Sequence, residues 1–131
     1  MLQRFVETVG QEIEDHRARF RDLANPTLRA ISATLRTRLK GPDSVRIALI
    51  AAHAESLSAN ARLRTVFSAH WQRIEAETAD RAGALAIWCA IDGLQFFSLF
   101  NVWPATADDA RTLANRLEGM IDALAAAARS L

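Results

Sequence analysis

Three histidines are the first candidates for chemistry in this chain of 131 residues. His16, His53 and His70 fall on or near the apolar stripes of predicted helices, so a metal site with three imidazole ligands is one possible interpretation. They belong to three separate helices, however, and no two of them have the i, i+4 spacing of helical metal ligands. The sequence therefore predicts no metal site, and it indicates no cofactor.

Two acids and one cysteine are the other reactive residues within apolar segments. Glu55 and Asp92 lack an organised partner, which general acid–base catalysis needs. The sequence also has no glycine-rich phosphate loop, no Gly-x-Ser-x-Gly, no His-Glu-x-x-His and no Cys–His–acid spacing. Cys89 is the only cysteine, which fits a reducing cytoplasm, and its apolar neighbours predict an inert buried thiol. We expect a cytoplasmic protein that is not an enzyme.

Composition and charge are those of one globular domain. Half of the residues are hydrophobic, and 16 Lys and Arg nearly balance 15 Asp and Glu, whereas a free-standing nucleic-acid binder carries a strong basic excess. Residues 82–103 are long enough to span hydrocarbon, but Asp92 lies at their centre, where an acid costs about 2.5–3.5 kcal/mol. We therefore expect a single domain over residues 1–131 and no membrane span.

The elements that position these residues are helical, because apolar residues recur at spacings of three and four and no strand pattern is present. The predicted helices cover about residues 2–23, 26–39, 45–57, 60–77, 84–102 and 106–124. Asn25 before Pro26, Asn60, and Thr106 with Asp109 are expected to cap three of them. The stretch 45–57 is apolar on most of its circumference and is predicted to be central, whereas polar residues such as Glu75 and Glu77 are typical of a solvated face. The pattern predicts an all-α bundle of about six helices.

The last two predicted helices carry more apolar surface than a six-helix monomer of this size needs to cover. Gly93, inside the first of them, also disfavours a helix by about 1 kcal/mol relative to alanine. A homodimer explains both features, because these helices would pair with their symmetry mates in a four-helix interface that Gly93 tightens. A glycine tolerated in an ordinary core helix is the alternative. The residues predicted for the interface are Asp92, Gly93, Phe97, Phe100, Leu113, Leu117, Met120 and Leu124.

Three segments resemble the C-terminal domain of TetR (tetracycline-repressor-like) bacterial transcription regulators. The run Asn60–Arg64, followed by His70–Ile74, is similar to the helix that precedes the last helix pair of that family. The segment Ala86–Gln95, in which an apolar run meets Asp92 and Gly93, is similar to the penultimate helix. A turn containing proline and a leucine-rich terminal helix then follow, as in the family. The resemblance implies a ligand-binding and dimerisation domain.

The resemblance also implies where DNA recognition would lie. Regulators of this family begin with a helix-turn-helix, and nothing in this sequence corresponds to one. Residues 2–23 would match the long helix that connects the two halves of such a regulator. We therefore expect no direct DNA binding by this chain.

In TetR-like proteins the ligand pocket lies inside the C-terminal bundle, between the central helices. Carried onto this sequence, the resemblance implies an apolar or aromatic small molecule held by the inward sides of the third to fifth predicted helices. The residues implied are His53, Glu55, Phe67, His70, Trp71, Trp88, Cys89 and Phe96. Either histidine could instead be a hydrogen-bonded core residue, and Trp88 could belong to the dimer core.

Two functions follow from the resemblance. The first is a small-molecule-sensing and homodimerising domain of a TetR-like regulator or repressor. The alternative is a helical interaction module that sequesters a partner regulator without binding a ligand.

Overall fold

The computed structural model describes residues 2–40, 57–99 and 104–129, apart from some side chains near the ends of these ranges. The five helices in these ranges are α1 (Leu2–Arg19), α2 (Pro26–Lys40), α3 (Leu57–Glu77), α4 (Arg81–Leu99) and α5 (Ala107–Arg129). No strand occurs within the same ranges, so the predicted all-α architecture is confirmed. The predicted central helix 45–57 lies almost wholly outside the described residues.

Helix α2 is the centre of the described bundle and packs against all four other helices. Its sequence buries residues on most of its circumference, and Leu28 and Leu35 are fully enclosed. Such enclosure excludes water from a contiguous apolar core, which is the main stabilising contribution to the fold. The other large core residues are Ile13, Ile31, Ile74, Ile87, Ile91, Leu94, Leu117 and Ile121.

The outward side of α2 is held to α5 by two arginines. Arg29 Nη1 lies 2.7 Å from Asp122 Oδ1, and Arg36 Nε lies 2.5 Å from Glu118 Oε1. The order of the partners shows that α2 and α5 run antiparallel, because the earlier arginine meets the later acid.

Helix α1 ends at Arg19, four residues before the predicted end, and Leu23 is 51% exposed. Residues 20–25 form the connection that turns the chain back onto α1. Asn25 ends this connection with a left-handed backbone, φ 56°, and its carbonyl accepts the first helical hydrogen bond of α2 from Arg29 N at 3.1 Å. Asn25 is therefore the N-cap by position, as predicted, but its buried Oδ1 has no hydrogen-bond partner among the described residues.

Glu77 of α3 supplies the acceptor that Asn25 does not. Thr27 N–H donates to Glu77 Oε2 at 2.9 Å, and the Thr27 hydroxyl donates to Glu77 Oε1 at 2.8 Å. Arg17 of α1 donates through Nη2 to Glu77 Oε1 at 3.0 Å and through Nε to Thr27 Oγ1 at 2.9 Å. A carboxylate at a helix N-terminus is favourable because it meets unpaired N–H groups and the positive end of the helix dipole. One acid thus joins α1, α2 and α3, and the predicted solvated position of Glu77 is wrong.

The starts of the remaining helices are set by local caps. Thr106 and Asp109 form the predicted capping box, since Asp109 N–H donates to Thr106 Oγ1 and Thr106 N–H donates to Asp109 Oδ2, each at 3.1 Å. The Thr106 hydroxyl also donates to Asp109 Oδ2, at 2.9 Å, and the two hydrogen bonds that this carboxylate accepts from Thr106 lower the pKa of Asp109. Asp80 caps α4, because its Oδ1 accepts a hydrogen bond from Gly83 N–H at 2.9 Å. The helix therefore begins at Arg81, three residues before the predicted start. The predicted cap at Asn60 is wrong, because α3 already begins at Leu57.

Among the described glycines, Gly83 is the one at which an added Cβ atom would be crowded, by the side chains of Asp80 and Leu124. A Cβ atom at this position would overlap Asp80 Oδ2 and would lie 2.9 Å from Leu124 Cδ2. We expect Gly83→Ala to lower the free energy of unfolding by about 1–2 kcal/mol, because it disturbs the α4 cap and overpacks the contact with α5. Urea denaturation measures this change.

The matched control is Gly119→Ala in α5, where a Cβ meets nothing within 4 Å. This variant gains helix propensity without a clash and is expected to be more stable by up to about 1 kcal/mol. Equal effects of the two substitutions would contradict the packing role of Gly83.

Candidate functional site

Helices α3 and α4, joined by residues 78–80, bring an aromatic cluster together. The ring centroids of Trp71 and Trp88 lie 6.0 Å apart with an interplanar angle of 1°. Phe67 meets Trp88 edge to face at 6.1 Å, and His70 meets Phe67 at 6.3 Å in the same manner. Both arrangements suit the quadrupoles of the rings. We call Phe67, His70, Trp71 and Trp88 the aromatic cluster; all four are among the residues that the sequence indicates for ligand binding.

The aromatic cluster reaches the surface of the described bundle. Phe67 is 44% exposed, and the other three members are half-buried. Arg81, which the sequence pattern does not indicate as a site residue, places its guanidinium 5.6 Å from the centroid of the Trp71 ring. Arg81 and Trp88 are seven residues apart, which is about two helical turns, so this spacing alone predicts that they lie on the same side of α4. Arg81 also pairs with Glu75 Oε2 at 2.6 Å.

His70 enters this cluster as a neutral imidazole. Burial lowers its pKa, the positive charge of Arg73 lowers it further, and Glu14 acts weakly in the opposite direction. Arg73 is itself paired with Glu14. A neutral imidazole can donate one hydrogen bond and accept another, so His70 offers a polar group beside the rings without adding a charge.

Asp92 lies one helical turn beyond Trp88 and therefore on the same side of α4. Its side chain is half-buried, and burial raises its pKa from 3.8 to about 6. Among the described residues, none makes a hydrogen bond or an ion pair with its carboxylate that would offset this burial. Asp92 is thus a carboxylate without a counter-ion in this part of the chain.

The pKa of Asp92 predicts a pH-dependent gain in stability for Asp92→Asn. Between about pH 4 and 6 the folded chain binds the proton that the unfolded chain has lost, so the contribution of Asp92 to stability falls as the pH rises through this window. At pH 7.5 we expect the variant to be more stable than the parent by about 2 kcal/mol, after allowance for partial solvent screening.

Urea denaturation at pH 4.0 and 7.5 measures the difference between the two proteins, which should vanish at the lower pH. Asp22→Asn is the matched control, because the Asp22 side chain is 93% exposed. A stability difference that is the same at both pH values would contradict the pKa assigned to Asp92.

The outer face of α4 is exposed and apolar. We use this name for the exposed residues Ala82, Leu85, Ala86, Cys89 and Phe97, which recur at spacings of three, four and eight. Leu85 is 42% exposed and Phe97 44%. The prediction that Cys89 is a buried thiol is wrong, because this helix is apolar on nearly all sides and its periodicity does not show which side meets the core.

Gly93 lies among these residues, and a Cβ at this position would meet nothing within 4 Å. The described part of the chain therefore leaves room for a larger residue here. The role predicted for Gly93, to let the helices of two copies approach closely, stays a prediction.

The residues of α5 that the sequence indicates for an interface occupy different depths. Met120 is 42% exposed, and Leu113 and Leu124 are half-buried against the core. Leu117 is 1% exposed and lies inside the core of the single chain, where it offers no surface to a partner. His53, Glu55 and Phe100, and the side chain of Phe96, lie outside the described residues.

The described ranges contain neither a cluster of metal ligands nor a membrane-spanning helix. No group of three or more His, Cys, Asp and Glu side chains suited to a metal ion occurs in this part of the chain. No helix of these ranges combines the length and the apolar character needed to cross a bilayer.

Comparison with known families identifies the fold. Residues 25–122 match the family model described as tetracyclin repressor-like, C-terminal domain. This range takes in α2, α3, α4 and most of α5, together with the aromatic cluster and the outer face of α4. Comparisons with curated proteins and with solved structures give no match. The matched family consists of domains of transcription regulators, and the chain belongs to this family of tetracycline repressor-like C-terminal domains.

Proposed function

We propose that this chain is the small-molecule-sensing and homodimerising domain of a TetR-like transcription regulator. The observation that carries the sensing role is the aromatic cluster, in which four side chains of α3 and α4 converge near the surface. Aromatic surface with a few polar groups beside it is typical of sites for small organic ligands. Here His70 and Asp92 are the polar groups.

The homodimer is proposed to form through the outer face of α4, and the exposed Met120 of α5 is proposed as a further interface residue. Five exposed apolar residues on one helix face form a patch that a second copy of the same chain can cover. In a two-fold dimer each α4 would pack against its symmetry mate, and each residue of the patch would contact the same patch of the partner. The open space at Gly93 suits this arrangement, because a missing side chain lets two helices approach.

Helix α4 would couple the two roles. Asp92 follows Trp88 by one turn and Leu85 of the outer face by two turns, so the aromatic cluster and the outer face are neighbours around this helix. A ligand that binds the aromatic cluster and favours one position of α4 relative to α3 would therefore also favour one dimer geometry. In an intact regulator, that geometry would set the separation of the DNA-reading heads.

Native mass spectrometry of the purified chain tests both roles together. A dimer that carries a co-purified small molecule supports the proposal. A dimer without any adduct favours the alternative of an interaction module that works by dimerisation alone. A monomer at micromolar concentration contradicts the proposed assembly.

Gly93→Leu tests the close approach of the two copies of α4. Within the single chain the new side chain begins in open space, so the fold should tolerate it. Across the dimer interface it overpacks a helix contact by about 1–3 kcal/mol, which weakens the dimer about 5- to 150-fold. Sedimentation equilibrium measures the dissociation constant.

Gly10→Leu in α1 is the control, since a Cβ at Gly10 also meets nothing within 4 Å. This variant is expected to dimerise like the parent. An unchanged dissociation constant in Gly93→Leu would refute the role of Gly93 at the interface.

A further inference from the structure

We infer that the aromatic cluster binds an organic cation, a compound with apolar or aromatic groups around a positively charged nitrogen or phosphorus, and that Asp92 is its counter-ion. The inference rests on the proposed sensing function and names the class of ligand. Three features of the described residues support it: the rings, the carboxylate and the balance of the other charges.

The rings offer faces that attract cations, because the face of an aromatic ring is the negative part of its quadrupole. A cation within about 6 Å of the centroid of a tryptophan ring is stabilised by the quadrupole of that ring. Trp71 already has such a contact, because the Arg81 guanidinium lies 5.6 Å from its centroid. Phe67 and Trp88 extend the same aromatic surface, and Phe67 is 44% exposed. The cluster is thus accessible and electrostatically suited to a positive group.

The carboxylate is placed where such a group would meet it. Asp92 follows Trp88 by one helical turn on the same side of α4. No cation or hydrogen-bond donor among the described residues contacts it. A half-buried charge without a partner is unfavourable, and a bound cation would relieve this penalty. Because its pKa is about 6, the group is mostly ionised at pH 7.5 and available to a ligand.

Among the described charged side chains of α3 and α4 near the cluster, Asp92 is half-buried and has no ion pair. Arg73 pairs with Glu14, and Arg81 pairs with Glu75. His70 is neutral at pH 7.5, because burial lowers its pKa. Arg64 is exposed on α3 and can keep its charge in water. An anionic ligand at the cluster would meet the repulsion of Asp92, whereas a cation would not.

Tetraphenylphosphonium and tetraphenylborate test the inference, because they have the same shape and opposite charge. Isothermal titration calorimetry at pH 7.5 should show that the phosphonium binds the parent chain at least about tenfold more tightly than the borate. Asp92→Asn should weaken phosphonium binding about tenfold without weakening borate binding, and Asp92→Glu should retain the preference. Asp22→Asn changes the net charge by the same amount as Asp92→Asn, but at an exposed site outside α3 and α4. This control should leave the preference for the phosphonium unchanged.

Several results would overturn the inference. These are equal binding of the two probes, tighter binding of the borate, the absence of phosphonium binding, and a preference that survives Asp92→Asn. Native mass spectrometry distinguishes these results from failure of the proposed function. A dimer with a neutral or anionic co-purified molecule would refute the inference that the ligand is a cation, but it would still support the proposed sensing function.

Discussion

Leu85→Glu is expected to be a monomer at concentrations at which the parent chain is a dimer. Leu85 is 42% exposed on the outer face of α4, between the exposed residues Ala82 and Cys89. In a two-fold dimer the substitution places two carboxylates in an apolar contact, one from each copy. Each buried charge without a partner costs several kcal/mol, so the dissociation constant should rise by more than about a thousandfold.

Sedimentation velocity over a range of concentrations measures this change. Leu23→Glu is the matched control, because Leu23 is 51% exposed in the connection between α1 and α2 and lies outside the outer face. The control should dimerise like the parent and should fold equally well. A dimer of unchanged stability in Leu85→Glu would place the interface elsewhere on the chain.

Glu77→Ala is expected to destabilise the single chain far more than the loss of an exposed ion pair does. Thr27 is fully buried, and the substitution removes the acceptor of both its backbone N–H and its hydroxyl. Arg17 loses its ion pair with Glu77 at the same time. Unpaired buried groups of this kind lower the free energy of unfolding by about 3 kcal/mol, which corresponds to about 10 °C in Tm for a domain of this size.

Glu75→Ala in the same helix is the control. Glu75 makes an exposed ion pair with Arg81, and such pairs contribute about 0–1 kcal/mol. Thermal denaturation followed by circular dichroism measures both variants. A loss in Glu77→Ala no larger than that in Glu75→Ala would show that the Arg17–Thr27–Glu77 network does not hold α1, α2 and α3 together.

The helical architecture could be predicted because local signals agree with one another. Spacings of three and four predict every helix that the structure describes, and the Thr106–Asp109 capping box fixes the start of α5. Phe67, His70 and Trp71 share one face of α3 by spacing alone. The placement of Trp88 against them needed the resemblance to a family in which these helices are adjacent.

Features that depend on contacts between helices could not be predicted. The sequence pattern favours close packing at Gly93, whereas within the single chain the tight contact is at Gly83, against Leu124. Gly83 and Gly93 lie in the same apolar helix, and the sequence does not show that Leu124 of α5 packs against Gly83. Glu77 has the composition of a solvated position and yet binds the start of α2. Cys89 lies in a helix that is apolar all round, so no period reveals that it faces outward.

The reactivity of the Cys89 thiol tests the central claim most directly, because this single cysteine is exposed and lies on the outer face of α4. The rate of its modification by a small maleimide should fall as protein concentration rises through the dimer dissociation constant. In Leu85→Glu the rate should stay high at every concentration. A rate in the parent chain that is independent of concentration, while sedimentation shows a dimer, would contradict a homodimer formed through this face.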